Sequence, residues 1–229
     1  MKEFDKGIWI SEGSVVPFYG MPYSTRMTVV RLASGRLWVH SPVDLNPGLR
    51  LELDALGDVS YLVAPNALHH LFLNDWQQVY PGAKTYGTKE VIHKRGDLEF
   101  TGELKAGELY PWSDDIEQLL FTGSKAMEEC VFFHKASGTL IVTDLIENFS
   151  PSVFKPWQRV IARGVGILAP NGKMPLDWRL SFMFGKREAR SHLEHMLGWQ
   201  PRSVVMAHGE VIENEGVDFL KKSFSWLMN

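Results

Sequence analysis

The sequence predicts an α/β domain in which helices cover β-sheets, and three observations predict it. Short apolar runs of strand character alternate along the chain with runs whose apolar residues recur every three or four positions. Turn residues separate strand pairs in both halves, at Ala33-Ser34-Gly35 and at Lys135-Ala136-Ser137-Gly138. Hydrophobic residues make up 45% of the 229 positions and charged residues 22%, the balance of a globular chain able to bury a full core. One large domain spanning residues 1–229 is the expected organisation.

The elements follow in order. Residues 26–32 and 36–40 read as a hairpin, and Pro42 ends its second strand because proline has no amide donor. Residues 47–56 read as a short helix with Pro47 in its first turn, closed by Gly57. Residues 59–63 form a buried-strand pattern. After it, Leu68, Phe72, Trp76 and Val79 make a helical stripe with Asn66 as the expected N-cap, broken by Pro81-Gly82. A short strand at 84–86 follows. Residues 118–121, 130–134 and 139–143 are strand-like. Residues 146–185 carry prolines at 151, 156, 170 and 175 and read as an inserted helix-and-loop layer. A charged helix at 186–197, a buried strand at 203–207 and a helix at 215–227 close the chain.

Composition excludes several function classes. A net charge of −3 lacks the basic excess of a nucleic-acid binder, so no nucleic-acid partner is expected. No run approaches the roughly 18 apolar residues of a spanning helix, so no membrane partner is expected either. Residues 1–6 lead into no apolar signal-peptide core. Cys130 stands alone, which rules out an intrachain disulfide and a cysteine zinc cluster and suits a reducing, cytoplasmic setting. The expected partner is a small-molecule substrate or ligand.

Of eight histidines, His93, His134, His192 and His195 lie in charged or turn-like surroundings and read as solvated side chains. His69-His70, Asp144 and His208 differ, because each follows a buried-strand pattern at its polar end, where such folds keep their sites. Three imidazoles and a carboxylate suit zinc, iron or manganese. The same residues also read as local caps, since a His-Gly pair closes turns and an Asp at a strand end caps the next helix.

The order of these elements resembles the metallo-β-lactamase superfamily over nearly the whole chain. That family places His-x-His-x-Asp-His after a strand, then a third His in a loop, an Asp in a Gly-Asp pair and a final His-Gly. Here Pro65-Asn66-Ala67-Leu68-His69-His70 occupies the first motif, Thr143-Asp144 resembles the Gly-Asp pair, and Ala207-His208-Gly209 resembles the last. The wording LWVHSPV at 37–43 and VAPNALHHLFL at 63–73 resembles the uncharacterised DUF4336-type branch. The resemblance implies a four-layer αββα sandwich with its site at one sheet edge.

Departures from the family pattern carry the functional expectation. Pro65 and Ala67 replace two histidines, and Ser124 falls where the third-loop His would stand. The losses erase one metal position of a binuclear site. The other keeps His69 (in place of an Asp), His70, Asp144 and His208 as implied ligands of one divalent ion, zinc or iron. A mononuclear metal-dependent hydrolase with a metal-activated water is therefore expected. A catalytically inactive binding scaffold and a single-iron redox protein are the alternatives. Lys125, which reads first as a surface lysine, is a candidate to supply part of the missing charge, and Glu129 a candidate extra ligand or base. His40 is expected as a hydrogen-bond partner of a ligand such as Asp144, and Ser124 beside the emptied position. The aromatic and arginine residues of the insertion, among them Trp157, Arg159, Arg163 and Trp178, read as a packed helical layer, a substrate cover or an interface.

Overall fold

The computed structural model describes residues 1–228. The chain opens with β1 (Lys2–Asp5) and β2 (Ile8–Glu12), followed by a separate hairpin of β3 (Val16–Phe18) and β4 (Met21–Tyr23). Then come β5 (Arg26–Arg31), β6 (Leu37–His40), α1 (Pro47–Leu56), β7 (Val59–Ala64), α2 (Leu73–Val79), β8 (Lys84–Gly87), α3 (Lys89–Lys94) and β9 (Gly102–Glu103). The second half runs β10 (Ile116–Phe121), β11 (Glu129–His134), β12 (Thr139–Val142), α4 (Pro156–Val165), α5 (Leu176–Ser181), α6 (Lys186–Gly198), β13 (Ser203–Met206), α7 (Gly216–Ser223) and α8 (Ser225–Met228).

Two sheets result, ordered β1-β2-β5-β6-β7-β8-β9 and β10-β11-β12-β13. Strand alternation sorts their side chains into layers. Val29, Leu37, Val39 and Leu62 pack outward with Leu49, Leu53, Trp76 and Val91 of the first three helices. Their neighbours Val30, Trp38, Tyr61 and Val63 face inward, where they meet Phe132 and Ile141 of the second sheet. On that sheet Leu140 and Val142 face outward to Leu193, Met196 and Leu220 of α6 and α7. The layers are thus helix, sheet, sheet, helix, the αββα sandwich.

Within each sheet one parallel pair positions the site. β6 runs parallel to β7, with His40 opposite Val63. β12 runs parallel to β13, with Val142 opposite Met206. Residues just past the carboxyl ends of these four strands therefore emerge together along one edge of the sandwich.

The structure departs from expectation in three places. The helix after β7 begins at Leu73, not in the segment after Asn66, because the Asn66 carboxamide accepts the amides of Leu68 and His69 and holds that segment in a turn. The closing helix is two, α7 and α8, separated at Phe224. Strands β1 to β4 escaped the pattern reading because they are short and punctuated by Gly7, Pro17, Gly20 and Pro22. The insertion packs a small cluster of its own, in which Phe149, Phe154, Ala162 and Ile167 cover Met21 of the hairpin.

Candidate metal centre

His69, Asp144 and His208 converge, each offering a donor atom within 4.8 Å of the others. His69 Nε2 lies 3.2 Å from Asp144 Oδ2, and His208 Nε2 lies 3.2 Å from Asp144 Oδ1. All three side chains are largely buried, so their charges interact with little solvent screening. Burial opposes the Asp144 charge, but His69 and His208 outweigh it and hold the carboxyl well below the usual carboxylate range. For His208 burial lowers the pKa, yet the hydrogen bond and charge of Asp144, with Glu147 behind, raise it overall.

Each imidazole is fixed from its far side. His208 Nδ1 lies 2.6 Å from the Ser24 carbonyl oxygen. A carbonyl only accepts, so Nδ1 carries the proton and donates. His69 Nδ1 lies 2.5 Å from Ser41 Oγ, a hydroxyl that either donates or accepts. Ser41 itself sits at φ 52, a left-handed conformation uncommon for a residue with a side chain. Backbone strain of this kind gathers at functional sites, and here it aims a hydroxyl at His69. A nucleophilic role for Ser41 lacks an oxyanion donor in the next amide, since Pro42 has none.

Asp144 is held by Asn66, whose amide donates to its Oδ2 at 2.6 Å and to Thr143 Oγ1 at 3.0 Å. Behind Asn66 lies Glu129, fully buried, accepting the backbone amides of Thr143 at 2.6 Å and Asp144 at 2.8 Å. Burial first, then the Asp144 charge, raises the Glu129 pKa. Glu129 thus shapes the turn that presents Asp144 and, being enclosed, is placed neither as ligand nor as base. The loop after β13 is clasped by Arg26, which donates to the carbonyls of Met206 at 2.5 Å and Gly209 at 2.6 Å and pairs with Glu12. Gly209 follows His208 at φ 89, and a Cβ there would lie 2.2 Å from the Asn148 carbonyl oxygen, so only glycine fits.

The other expected residues lie elsewhere. His70 lines the same cavity but stands outside the three-donor cluster. In the turn made by Asn66 the adjacent rings diverge, and Arg95 Nη1 meets His70 Nδ1 at 3.1 Å. A guanidinium only donates, so the neutral ring holds its proton on Nε2 and has no lone pair there for a metal. Burial first, then Lys94 and Arg95, pulls the His70 pKa down to about 4. His40 does not reach Asp144. It lies between the sheets, stacked on Trp38 at 5.5 Å with Phe132 edge-on at 5.4 Å, and burial keeps it neutral. Asn66 takes the role expected of it. Ser124 bonds Ser181 Oγ at 2.7 Å, tying its loop to α5, and Lys125 is exposed and does not line the cavity.

The cavity above the three donors has a volume of about 430 Å³, typical of small-molecule sites. Its walls are largely apolar, with Val16, Phe18, Leu68, Leu71 and Phe72. Lys94, not Lys125, is the lysine on its lining, its ammonium donating to the Ala67 carbonyl at 2.8 Å. Tyr23 also lines it, edge-on to His208 and donating to the buried carboxyl of Glu147 at 3.1 Å.

The architecture is the metallo-β-lactamase fold. DIM-1 metallo-β-lactamase superposes with a TM-score of 0.66 at 17% identity, covering 99% of this chain and 95% of that one. A metallo-β-lactamase from Hirschia baltica gives 0.63 at 13% identity, over 99% and 95%. FIM-1 from Pseudomonas aeruginosa, in its mono-zinc form, gives 0.64 at 8% identity, over 98% and 92%. Within that fold the chain belongs to the family described as Domain of unknown function (DUF4336), which it matches over residues 8–159. No curated protein matches the sequence significantly.

Proposed function

We propose that this chain is a single-metal hydrolase of small molecules. The observation that carries the reading is the His208–Asp144 contact. With Nδ1 committed as donor to the Ser24 carbonyl, Nε2 of the neutral ring presents a lone pair to a carboxylate oxygen 3.2 Å away. Two electron-rich atoms hold that geometry when a cation serves both, either a second proton on the ring or a metal ion shared with His69. The donor set of two imidazoles and one carboxylate matches zinc and iron chemistry and leaves a coordination position for water. The mono-zinc form of FIM-1, on the same fold, supports the count of one.

His69, Asp144 and His208 would hold the ion. Bound there, a divalent ion supplies a water activated near neutral pH and a Lewis acid for a carbonyl oxygen. The protein's own groups do the rest. Asn66 keeps Asp144 directed at both imidazoles, and Ser41 and the Ser24 carbonyl fix ring orientation. The apolar wall from Val16 to Phe72 would exclude water from the reacting group and seat an apolar arm of the substrate. An ester, lactone or thioester with such an arm fits this environment.

Metal content by elemental mass spectrometry, on protein purified without a polyhistidine tag, tests the reading beside His208→Ala. About one zinc or iron per chain, absent from the variant, is expected. No metal in either after reconstitution overturns the hydrolase and leaves a binding scaffold.

A further inference from the structure

Helix α4 leaves most of its apolar stripe facing outward, only Ala162 and Val165 reaching the cluster beneath it. Its sequence is strongly amphipathic, and such a helix in a globular protein buries its apolar stripe. Here the inward face carries Gln158 and Ala162, while Trp157, Val160 and Ile161 are 57%, 72% and 48% exposed. The polar inward contacts are built, not incidental. Gln158 donates to the Gly20 carbonyl at 2.9 Å, and Arg159 donates to the Pro151 carbonyl at 3.0 Å. These bonds fix which side faces out. Contiguous exposed apolar surface rimmed by polar residues marks an interaction surface.

Charge identifies what the stripe meets. Residues 148–176 contain no aspartate or glutamate but four cations, Lys155, Arg159, Arg163 and Lys173, in a chain whose net charge is −3. Lys155 and Arg163 are exposed at the two ends of the stripe. A tryptophan, two branched aliphatics and flanking cations on one face are what an interfacial helix presents to acyl chains and anionic headgroups. A second copy of the chain is the poorer fit, because a two-fold contact through this face would set Lys155 and Arg163 against their own like charges.

We infer that α4 is a peripheral docking surface for anionic lipid membranes, with Trp157, Val160 and Ile161 entering the headgroup boundary. The sequence expectation of no membrane partner rested on the lack of a spanning run, and no helix among the described residues is long and apolar enough to cross a membrane. Interfacial docking requires none. The Gln158 bond ties α4 to the β3–β4 hairpin, which also lines the cavity through Val16, Phe18 and Tyr23. The inference stands whether or not the cavity holds a metal.

Flotation with vesicles of phosphatidylcholine mixed with phosphatidylglycerol, against pure phosphatidylcholine, tests it on the full chain. Binding to the mixed vesicles alone is expected, weakened roughly five-fold by Arg163→Gln, as each cation near an anionic surface contributes about that factor. Val160→Ser with Ile161→Ser should abolish it, and both sites are exposed enough to spare the fold. Three results overturn the inference: no flotation with either vesicle, equal flotation with both, or a concentration-dependent dimer in sedimentation velocity that the same serine variants dissolve. An unchanged melting temperature in the variants separates lost docking from lost folding.

Discussion

The two imidazoles that face Asp144 sit at the ends of equivalent strands, β7 and β13, and are held in different ways. His208 is held by backbone, because its partner is a carbonyl that fixes one tautomer and its loop is clasped by Arg26. His69 is held by a side chain, the Ser41 hydroxyl, which accommodates either tautomer. Their surroundings differ as well. Behind His208 lie Tyr23 and the carboxyl of Glu147; near His69 lie Ser41 and the neutral His40. One half of the site is fixed by backbone, and the other rests on a hydroxyl.

Asp144 is where the halves meet, so Asp144→Asn breaks the comparison outright. The carboxamide carries no charge for either imidazole, and metal retention measured by elemental mass spectrometry should vanish. Metal-free protein should lose about 3 kcal/mol in urea unfolding, because buried partners lose their counter-charge. Full metal occupancy in this variant would remove Asp144 from the ligand set.

Glu147 sharpens the acidic side. Burial, despite the opposing pull of His208, pushes its pKa up to about 8 from 4.5. The folded state therefore holds a proton that the unfolded state releases. The stability this carries is full below pH 4.5 and is lost as pH rises toward 8. Glu147→Gln keeps the Tyr23 contact without the titration. In chelator-treated protein the variant should gain on wild type across that window, by a few kcal/mol, since each tenfold difference in proton affinity is worth about 1.4 kcal/mol. Parallel pH profiles for the two proteins would show that Glu147 titrates normally.

Legibility in the sequence followed the same division. Asp144 and His208 stood out because a polar residue ends an uninterrupted apolar strand run, and His69 because it follows β7 by a few residues. The layer order was legible because period-2 alternation sends Val29 and Val30, or Leu140 and Ile141, to opposite faces. The groups that tune the site were not. The Ser24 oxygen belongs to the backbone and has no side-chain signature. Asn66 was visible as a cap, and its Oδ1 does cap a turn, but the reach of its amide to Asp144 depends on how the two sheets stack. The exposure of α4 was hidden for another reason: an amphipathic pattern is the same whichever face the fold turns outward.

Ser41 acts on His69 through its hydroxyl and carries a strained backbone of its own. Ser41→Ala removes the hydroxyl at His69 and should weaken metal affinity about 10- to 100-fold, the usual cost of losing such a partner. Ser41→Gly removes the same hydroxyl but also relieves the left-handed φ of 52, so it should regain ~1 kcal/mol of stability. The two variants should therefore match in metal titrations and differ in melting temperature. Equal affinity of Ser41→Ala and wild type would mean that His69 needs no support from this side.

The smallest expected effect falls on His70, and it decides whether the divergence of the paired histidines is real in solution. With Nδ1 facing the Arg95 guanidinium, the ring proton resides on Nε2, which has no partner of its own. His70→Ala should leave metal stoichiometry and affinity unchanged and cost only the Arg95 contact, about 1 to 2 kcal/mol. His69→Ala, one residue away, should abolish binding. The contrast cannot come from a general disturbance of the turn, because both side chains leave the same Asn66-capped segment. If His70→Ala loses metal as His69→Ala does, the ring must swing from Arg95 to the ion on binding. Arg95→Leu would then tighten metal affinity by freeing Nδ1 to hold the proton.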